Sequence, residues 1–158
     1  SYQGNLAHED TLVPSLRCVP TSASKFPKLL DVCFGFLTLF LADWVAPNAT
    51  VIGDVDVKEG SSLWHGSVLR GDTAKISIGK NSVIEDLAHL GARKAEGDKV
   101  QIGDNCFVGP NVTLDACTLE SFSHVGMGAT VGRGARVESF AVVAAGAYIG
   151  PGDVVPSG

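Results

Sequence analysis

Aromatic side chains are scarce in this sequence, at 7% of 158 residues, whereas glycine is abundant, at 19 residues. This composition suits a narrow interior filled by small aliphatic side chains better than a bulky globular core. Basic residues are also outnumbered, since the formal net charge is −5 and the pI is near 5.2. We therefore do not expect nucleic acid as a partner.

Several common functional motifs are missing. The four cysteines, Cys18, Cys33, Cys106 and Cys117, form no Cys-x-x-Cys pair, which indicates reduced thiols in a non-oxidising compartment. We expect Cys106 and Cys117 to pack rather than react. No P-loop and no strand-linked Gly-x-Gly-x-x-Gly motif is present, which argues against a nucleotide site.

What the sequence does have is an aliphatic residue at every sixth position. Three series share this spacing, and the second contains one polar position, Glu96. The series are Val45, Val51, Val57, Leu63, Leu69; Ile78, Ile84, Leu90, Ile102, Val108, Leu114; and Leu119, Val125, Val131, Val137, Val143, Ile149, Val155. A period of six fits neither an amphipathic helix nor an alternating strand. It is typical of the hexapeptide repeats of a parallel β-helix.

Six residues supply one short strand and one tight corner, and three such units close a triangular coil of about eighteen residues. The corners carry the residue types that tight turns need, as in 79–81, 103–105 and 109–111. We therefore predict an all-β fold in which residues 44–158 form a parallel β-helix. The alternative, a β-sandwich rich in valine and glycine, has no reason to hold this phase so long.

The phase breaks at three places. Nine residues separate Leu69 from Ile78, which predicts an offset within 70–75. The polar stretch 91–99 predicts a loop that bulges from the prism. One residue is missing between Leu114 and Leu119.

Residues 1–43 do not repeat, and we interpret them as an irregular N-terminal extension. Their uninterrupted apolar stretch, 32–42, is eleven residues long, too short to cross a bilayer as a helix. It is interpreted either as a cap on the first coil or as a docking surface for a membrane-embedded partner or for lipid. At the other end nothing closes the last coil, so we expect further chain or another subunit to cover it.

A few polar residues could carry chemistry. His89 and Asp115 are candidate metal ligands if neighbouring coils bring them together, the alternative being ordinary surface or interface residues. His124 could act as the general base of an acyltransferase, although no second cluster supports that role. Arg70 and Asp72 flank Gly71 and can form a bidentate pair, which we interpret as an interface clamp rather than a plain surface ion pair.

The sequence resembles the γ-class carbonic anhydrases over residues 44–158. The matching stretches are 46–55, 60–72, 102–105, 125–130, 143–147 and 156–158. The segment 64–72, which reads Trp-x-Gly-x-Val-Leu-Arg-Gly-Asp, separates this family from most hexapeptide acyltransferases. The resemblance implies a left-handed β-helix and a trimer with zinc at each subunit interface, held by three histidines.

The family's histidine motifs are altered here. The first family motif resembles Gln-Asp-x-x-x-x-His, and this chain has Glu85-Asp86 in place of Gln-Asp. Its histidine, His89, comes two residues earlier than the motif requires, unless this chain has a deletion there. In the second motif the two histidine positions hold Pro110 and Asp115. We therefore expect no catalytic residues and no metal bound in this chain's own site, with His89 and Asp115 as vestiges of the ligand set.

The resemblance is strongest to the γ-carbonic-anhydrase-like subunits of mitochondrial complex I. It implies a non-catalytic structural subunit of a heterotrimer, placed peripherally on the matrix side of the inner membrane. The implied partners are other subunits of the family, the complex I membrane arm, and lipid at the apolar stretch. The other subunits would contact this chain at Arg70, Asp72, Glu85 and Asp86. Zinc would then lie at a neighbouring subunit interface. Two alternatives stay open: a carbonic anhydrase whose site neighbouring subunits complete, and a hexapeptide acyltransferase.

Overall fold

The structure, a computed structural model, describes residues 42–92 and 98–158, together with the strand Leu37–Thr38. Seventeen strands and no helix occur in these ranges. All strand pairs are parallel, and Trp44 pairs with Ser62 one coil later, as Thr50 does with Val68. The chain thus winds into coils of about eighteen residues, and the predicted parallel β-helix is confirmed.

Each coil has three walls. The first wall is a six-stranded sheet: β2 (Trp44–Val45), β4 (Ser62–Leu63), β6 (Val83–Ile84), β9 (Phe107–Val108), β12 (His124–Val125) and β15 (Val142–Val143). The second wall contains β7 (His89–Gly91), β10 (Thr113–Asp115), β13 (Thr130–Val131) and β16 (Tyr148–Ile149). The third contains β1 (Leu37–Thr38), β8 (Lys99–Ile102), β11 (Thr118–Leu119), β14 (Arg136–Val137) and β17 (Val154–Val155).

Two long strands, β3 (Thr50–Val57) and β5 (Val68–Ile78), bend around a corner and join the second wall to the third. The bend in β3 lies at Gly53, which has a φ of 78°. A Cβ there would collide with the backbone of Asp72, so both space and conformation require glycine.

The hexapeptide positions point inward and form the core. Their side chains stack in columns, as with Leu63, Ile84 and Val108 on the first wall, all 0% exposed. Val and Ile fit because their branched side chains favour extended backbone. Each coil alone would leave this apolar surface in water, so stability depends on stacking.

The register locates two of the three phase breaks. Gly53 pairs with Gly71 but Val55 pairs with Ile76, so the predicted offset lies at 72–75. His89 and Thr113 pair across twenty-four positions, six more than a regular coil, which places the loop insertion between Gly91 and Lys99. Both of those residues belong to strands, so the loop is shorter at each end than predicted. Residues 93–97 lie outside the described residues.

The parallel pairing also extends before residue 44. Leu37–Thr38 pairs with Val55 and Asp56 one coil later. The rest of the predicted N-terminal extension, including most of the apolar stretch 32–42, lies outside the described residues. The division at residue 44 and the docking role of that stretch remain predictions.

Candidate functional site

Arg70 and Asp72 form the predicted bidentate pair on β5. Arg70 donates from Nε to Asp72 Oδ1 at 3.3 Å and from Nη2 to Oδ2 at 2.9 Å. The hydrogen bond from Arg70 holds the pKa of Asp72 below its usual range, and the same bond raises the pKa of Arg70. Both side chains remain largely in water, at 46% and 38% exposed, so the pair presents a fixed charged surface.

Thr73, part of the insertion, fixes this pair to the next coil. Its Oγ1 donates to the carbonyl of Arg70 at 3.2 Å and accepts from the backbone N–H of Ala92 at 3.3 Å. Thr73 thus fixes the backbone of the bulge to the next coil, while Asp72 orients the guanidinium of Arg70.

Next to the pair is a cleft of about 440 Å³. Its lining combines the bulge with the outer surface of β7 and β10: Arg70, Thr73, His89, Gly91, Ala92, Thr113, Leu114 and Asp115. The two predicted vestigial ligands, His89 and Asp115, therefore share one cleft.

The register shows that His89 is not opposite Asp115. His89 pairs with Thr113, while Asp115 pairs with Gly91. Counting the first family motif from Glu85 also places its histidine at position 91. His89 therefore lies two residues before the position that the motif count gives, and that position, Gly91, is the one opposite Asp115.

The residues at the family's ligand positions do not fit zinc. Gly91 has no side chain, Pro110 has no donor atom for a metal, and only Asp115 could coordinate. A Cβ at Gly91 would lie 3.1 Å from Cβ of Arg70, so a side chain there would need a small shift of Arg70. Nowhere in 42–92 and 98–158 do three His, Cys, Asp or Glu side chains form a group that could hold a metal ion.

The other predicted interface residues, Glu85 and Asp86, lie at the corner between the first and second walls. Asp86 accepts the backbone N–H of His65 at Oδ1, at 2.9 Å, and its carbonyl accepts from Asn111 N at 2.8 Å. Asp86 thus ties three consecutive coils together. An intersubunit role for Glu85 and Asp86 stays a prediction.

His124 lies apart from the cleft. It is exposed on the first wall and stacks on Phe107, with ring centroids 4.6 Å apart and planes at 11°. An imidazole on a different wall cannot serve chemistry in the Arg70 cleft.

Two features were missed in the sequence. One is a buried polar column along a corner, in which Ser82 Oγ donates to the Gly103 carbonyl at 2.8 Å and accepts from Cys106 N at 3.1 Å. Ser61 lies below it and Ser123 above it. Aligning the coils by register rather than by six-residue units would have revealed the column. The second feature is a pair of exposed stacked phenylalanines, Phe122 and Phe140.

The predicted packing role of the cysteines is consistent with their burial, since Cys106 and Cys117 are 2% and 1% exposed. Burial raises the pKa of Cys117 to about 12, which keeps it a thiol at neutral pH.

Comparison with known proteins agrees with this architecture. The family described as "Hexapeptide repeat of succinyl-transferase" matches residues 99–133. The chain is 44% identical over 119 residues to "Gamma carbonic anhydrase 2, mitochondrial" of Arabidopsis thaliana, covering 73% of this chain and 43% of that protein. It is 38% identical over 81 residues to "Gamma carbonic anhydrase-like 2, mitochondrial" of the same plant, covering 49% and 32%.

Among solved structures, a hexapeptide transferase family protein from Anaplasma phagocytophilum matches with a TM-score of 0.69 and 36% identity, covering 73% of this chain and 66% of that one. The chain spans less than half the length of the plant relatives. The repeat, the parallel coils and the identity to named γ-carbonic anhydrases lead to one assignment: the chain belongs to the γ-class carbonic anhydrase family.

Proposed function

We propose that this chain is a non-catalytic, structural subunit of a γ-carbonic-anhydrase-like heterotrimer. In this proposal the trimer is attached to the membrane arm of mitochondrial complex I, peripherally on the matrix side of the inner membrane. One observation carries the proposal: positions 91, 110 and 115 hold Gly, Pro and Asp, on a β-helix that is otherwise intact. Metal-bound hydroxide needs a complete ligand set, which this chain alone does not supply.

The retained surface supports an assembly role. The Arg70–Asp72 pair is held in place by Thr73 although the ligands beside it have gone. A fixed guanidinium and carboxylate on a flat wall give a partner subunit a complementary charged surface.

Location in the mitochondrion is supported by the printed names of the plant relatives. In the described part of the chain no helix is long and apolar enough to span a membrane. A peripheral position held by partner subunits agrees with that finding, and lipid contact by the stretch 32–42 belongs to the same proposal.

The positions of the family's ligand residues suggest how subunits would share a metal in this proposal. Positions 91 and 115 lie on adjacent strands, whose backbones are about 4.8 Å apart, so one chain can present both to one ion. Position 110 lies at the corner before β10, on the order of 10 Å from position 115 along the strand. We propose that positions 91 and 115 serve one subunit interface and that position 110, at the corner, serves another. This agrees with the interface zinc that the family resemblance implies, and any zinc of the heterotrimer would then need ligands from partner subunits.

The test is zinc content and CO₂ hydration of the purified full-length chain assembled only with itself. We expect no stoichiometric zinc by plasma mass spectrometry and no hydration above background in stopped flow. The matched control is Gly91→His/Pro110→His/Asp115→His, which restores the three family positions on the same scaffold and should bind zinc.

The opposite result would reject the proposal. One zinc per chain in the natural protein, with CO₂ hydration that His89→Ala abolishes, would establish an active enzyme that uses a rearranged ligand set.

A further inference from the structure

Two phenylalanines form an exposed ridge along one corner of the β-helix. Phe122 and Phe140 are stacked with ring centroids 5.0 Å apart and planes at 6°. They are 51% and 63% exposed, although a stacked pair of this kind usually lies inside a core. We call these two residues the aromatic ridge.

The backbone under the ridge is left-handed, with φ of 63° at Phe122 and 62° at Phe140. Earlier coils place Gly60, Asn81 and Asn105 at the equivalent corner, with φ of 78°, 52° and 55°. A continuous ladder of backbone hydrogen bonds, such as Phe122 N to the Asp104 carbonyl, links these positions. Glycine and asparagine tolerate this conformation, whereas a bulky residue there is an outlier. Strained residues of this type concentrate at functional sites.

The position of the ridge in the prism limits what can cover it. The chain passes from the third wall at Val137, through the corner at Phe140, to the first wall at Val142. This corner is the one that does not border the second wall, which carries the Arg70 cleft. In an oligomer assembled through the second wall, the ridge faces away from the other subunits. This step rests on the proposed function.

The surroundings of the ridge combine apolar surface with excess negative charge. Val142, 66% exposed, extends it onto the first wall. Glu120, Glu138 and Asp104 flank these corners, and Arg136 pairs with Glu120. Asp104 accepts the backbone N–H of Lys80 and Glu138 that of Ser157, so these carboxylates outnumber the basic side chains Arg136 and Lys80 beside them. Together with a net charge of −5, this acidic border disfavours anionic lipid and favours a partner with basic residues around an apolar groove.

We propose that the aromatic ridge docks into an apolar groove with a basic rim on a protein outside the γ-carbonic-anhydrase-like trimer. Aromatic anchors of this kind commonly dominate the affinity of an interface. The partner would accept the two rings edge-on and pair its basic residues with the acidic border.

Binding to membranes tests the proposal. The full-length chain, assembled with its family partners, is mixed with mitochondrial inner membranes stripped of peripheral proteins, or with protein-free liposomes made from the extracted lipid. We expect binding to the membranes and not to the liposomes. Phe122→Asn/Phe140→Asn should weaken membrane binding at least tenfold, while the melting temperature stays equal or rises because asparagine suits the left-handed corner.

The matched control is Val154→Asn, which removes an exposed apolar side chain from the third wall and should leave binding unchanged. In a second measurement, the photo-crosslinker p-benzoylphenylalanine replaces Phe140, and mass spectrometry identifies the attached peptide. We expect a peptide of a protein outside the family that contains apolar residues beside Lys or Arg.

Three results would overturn the proposal: equal binding to liposomes, a crosslink to lipid or to a family subunit, and full binding by the double variant. A fall in melting temperature of the double variant without a loss of binding would assign the ridge a purely structural role. Failure of the proposed function would look different, since the chain would then not co-assemble with family partners at all.

Discussion

At the scale of single residues, Arg70 and Asp72 test whether a surface ion pair serves assembly or the fold. We expect Asp72→Asn to lower the free energy of unfolding of the isolated chain by at most about 1 kcal/mol, because exposed pairs contribute little. The same substitution should markedly weaken association with a γ-carbonic anhydrase partner, as size-exclusion chromatography with light scattering would measure. Glu120→Gln, which breaks the Arg136 pair on the third wall, is the matched control and should leave association intact.

The pH dependence of this pair has a definite sign. Arg70 lowers the pKa of Asp72 in the folded chain, so the stabilisation is present above the unfolded carboxyl's pKa of about 3.9 and is lost as the pH falls through the lower folded value. Urea unfolding curves of the natural chain and Asp72→Asn should therefore differ at pH 7 and converge in acid. A difference that grows in acid, or one well above 2 kcal/mol at pH 7, would mean that Asp72 holds the fold itself.

At the scale of an element, the serine column supports a corner whose backbone groups have few other partners. Ser82 Oγ bonds both the carbonyl of Gly103, in a part-buried contact, and the N–H of Cys106, in a buried one. Ser82→Ala leaves these groups unpaired, so we expect a loss of about 1–3 kcal/mol in the free energy of unfolding.

Ser123→Ala is the internal comparison for this prediction. Its hydroxyl donates only to Cys106 Sγ, at 3.4 Å, a weak acceptor, so its removal should cost well under half as much. Equal losses for the two serines, measured in the same denaturant series, would show that volume rather than hydrogen bonding determines the effect.

The sequence predicts the repeating elements because one rule governs each of them. An inward position must be aliphatic and a left-handed corner favours Gly or Asn, so Val108 and Asn105 are readable without coordinates. The same corner rule does not predict the phenylalanines at positions 122 and 140. The six-residue count places both at corner positions, but they break the expected residue type, and nothing in the sequence shows that their rings stack.

The candidate site was harder to predict from the sequence, because the chain departs there from its six-residue period. An insertion of six residues precedes β8 and one residue is missing after β10, so counting along the sequence left His89 two residues early, or displaced by a deletion. The pairing of Asp115 with Gly91 adds what counting could not give, namely which position lies opposite Asp115. Local deviations from a repeat are where a family's site was built, and they are also where periodicity stops predicting.

At the scale of the whole assembly, the proposed division of positions 91 and 115 from position 110 between two interfaces predicts a zinc count. A trimer has three interfaces, and one copy of this chain removes metal ligands from two of them. One interface loses the histidines at positions 91 and 115, and the other loses the histidine at position 110, which is Pro110 here. A trimer of one copy with two histidine-complete partners should therefore bind one zinc ion, and a trimer with two copies none.

Restoring the histidines in steps tests this zinc count, because different substitutions complete each of the two interfaces. In the trimer with one copy, Pro110→His alone should raise the zinc content from one to two, and adding Gly91→His/Asp115→His should raise it to three. The second step requires a small shift at Arg70, whose Cβ lies 3.1 Å from the new Cβ. Native mass spectrometry gives the subunit composition and plasma mass spectrometry the metal. If Pro110→His leaves the count at one while Gly91→His/Asp115→His alone also has no effect, the ligand positions are not divided between chains as proposed.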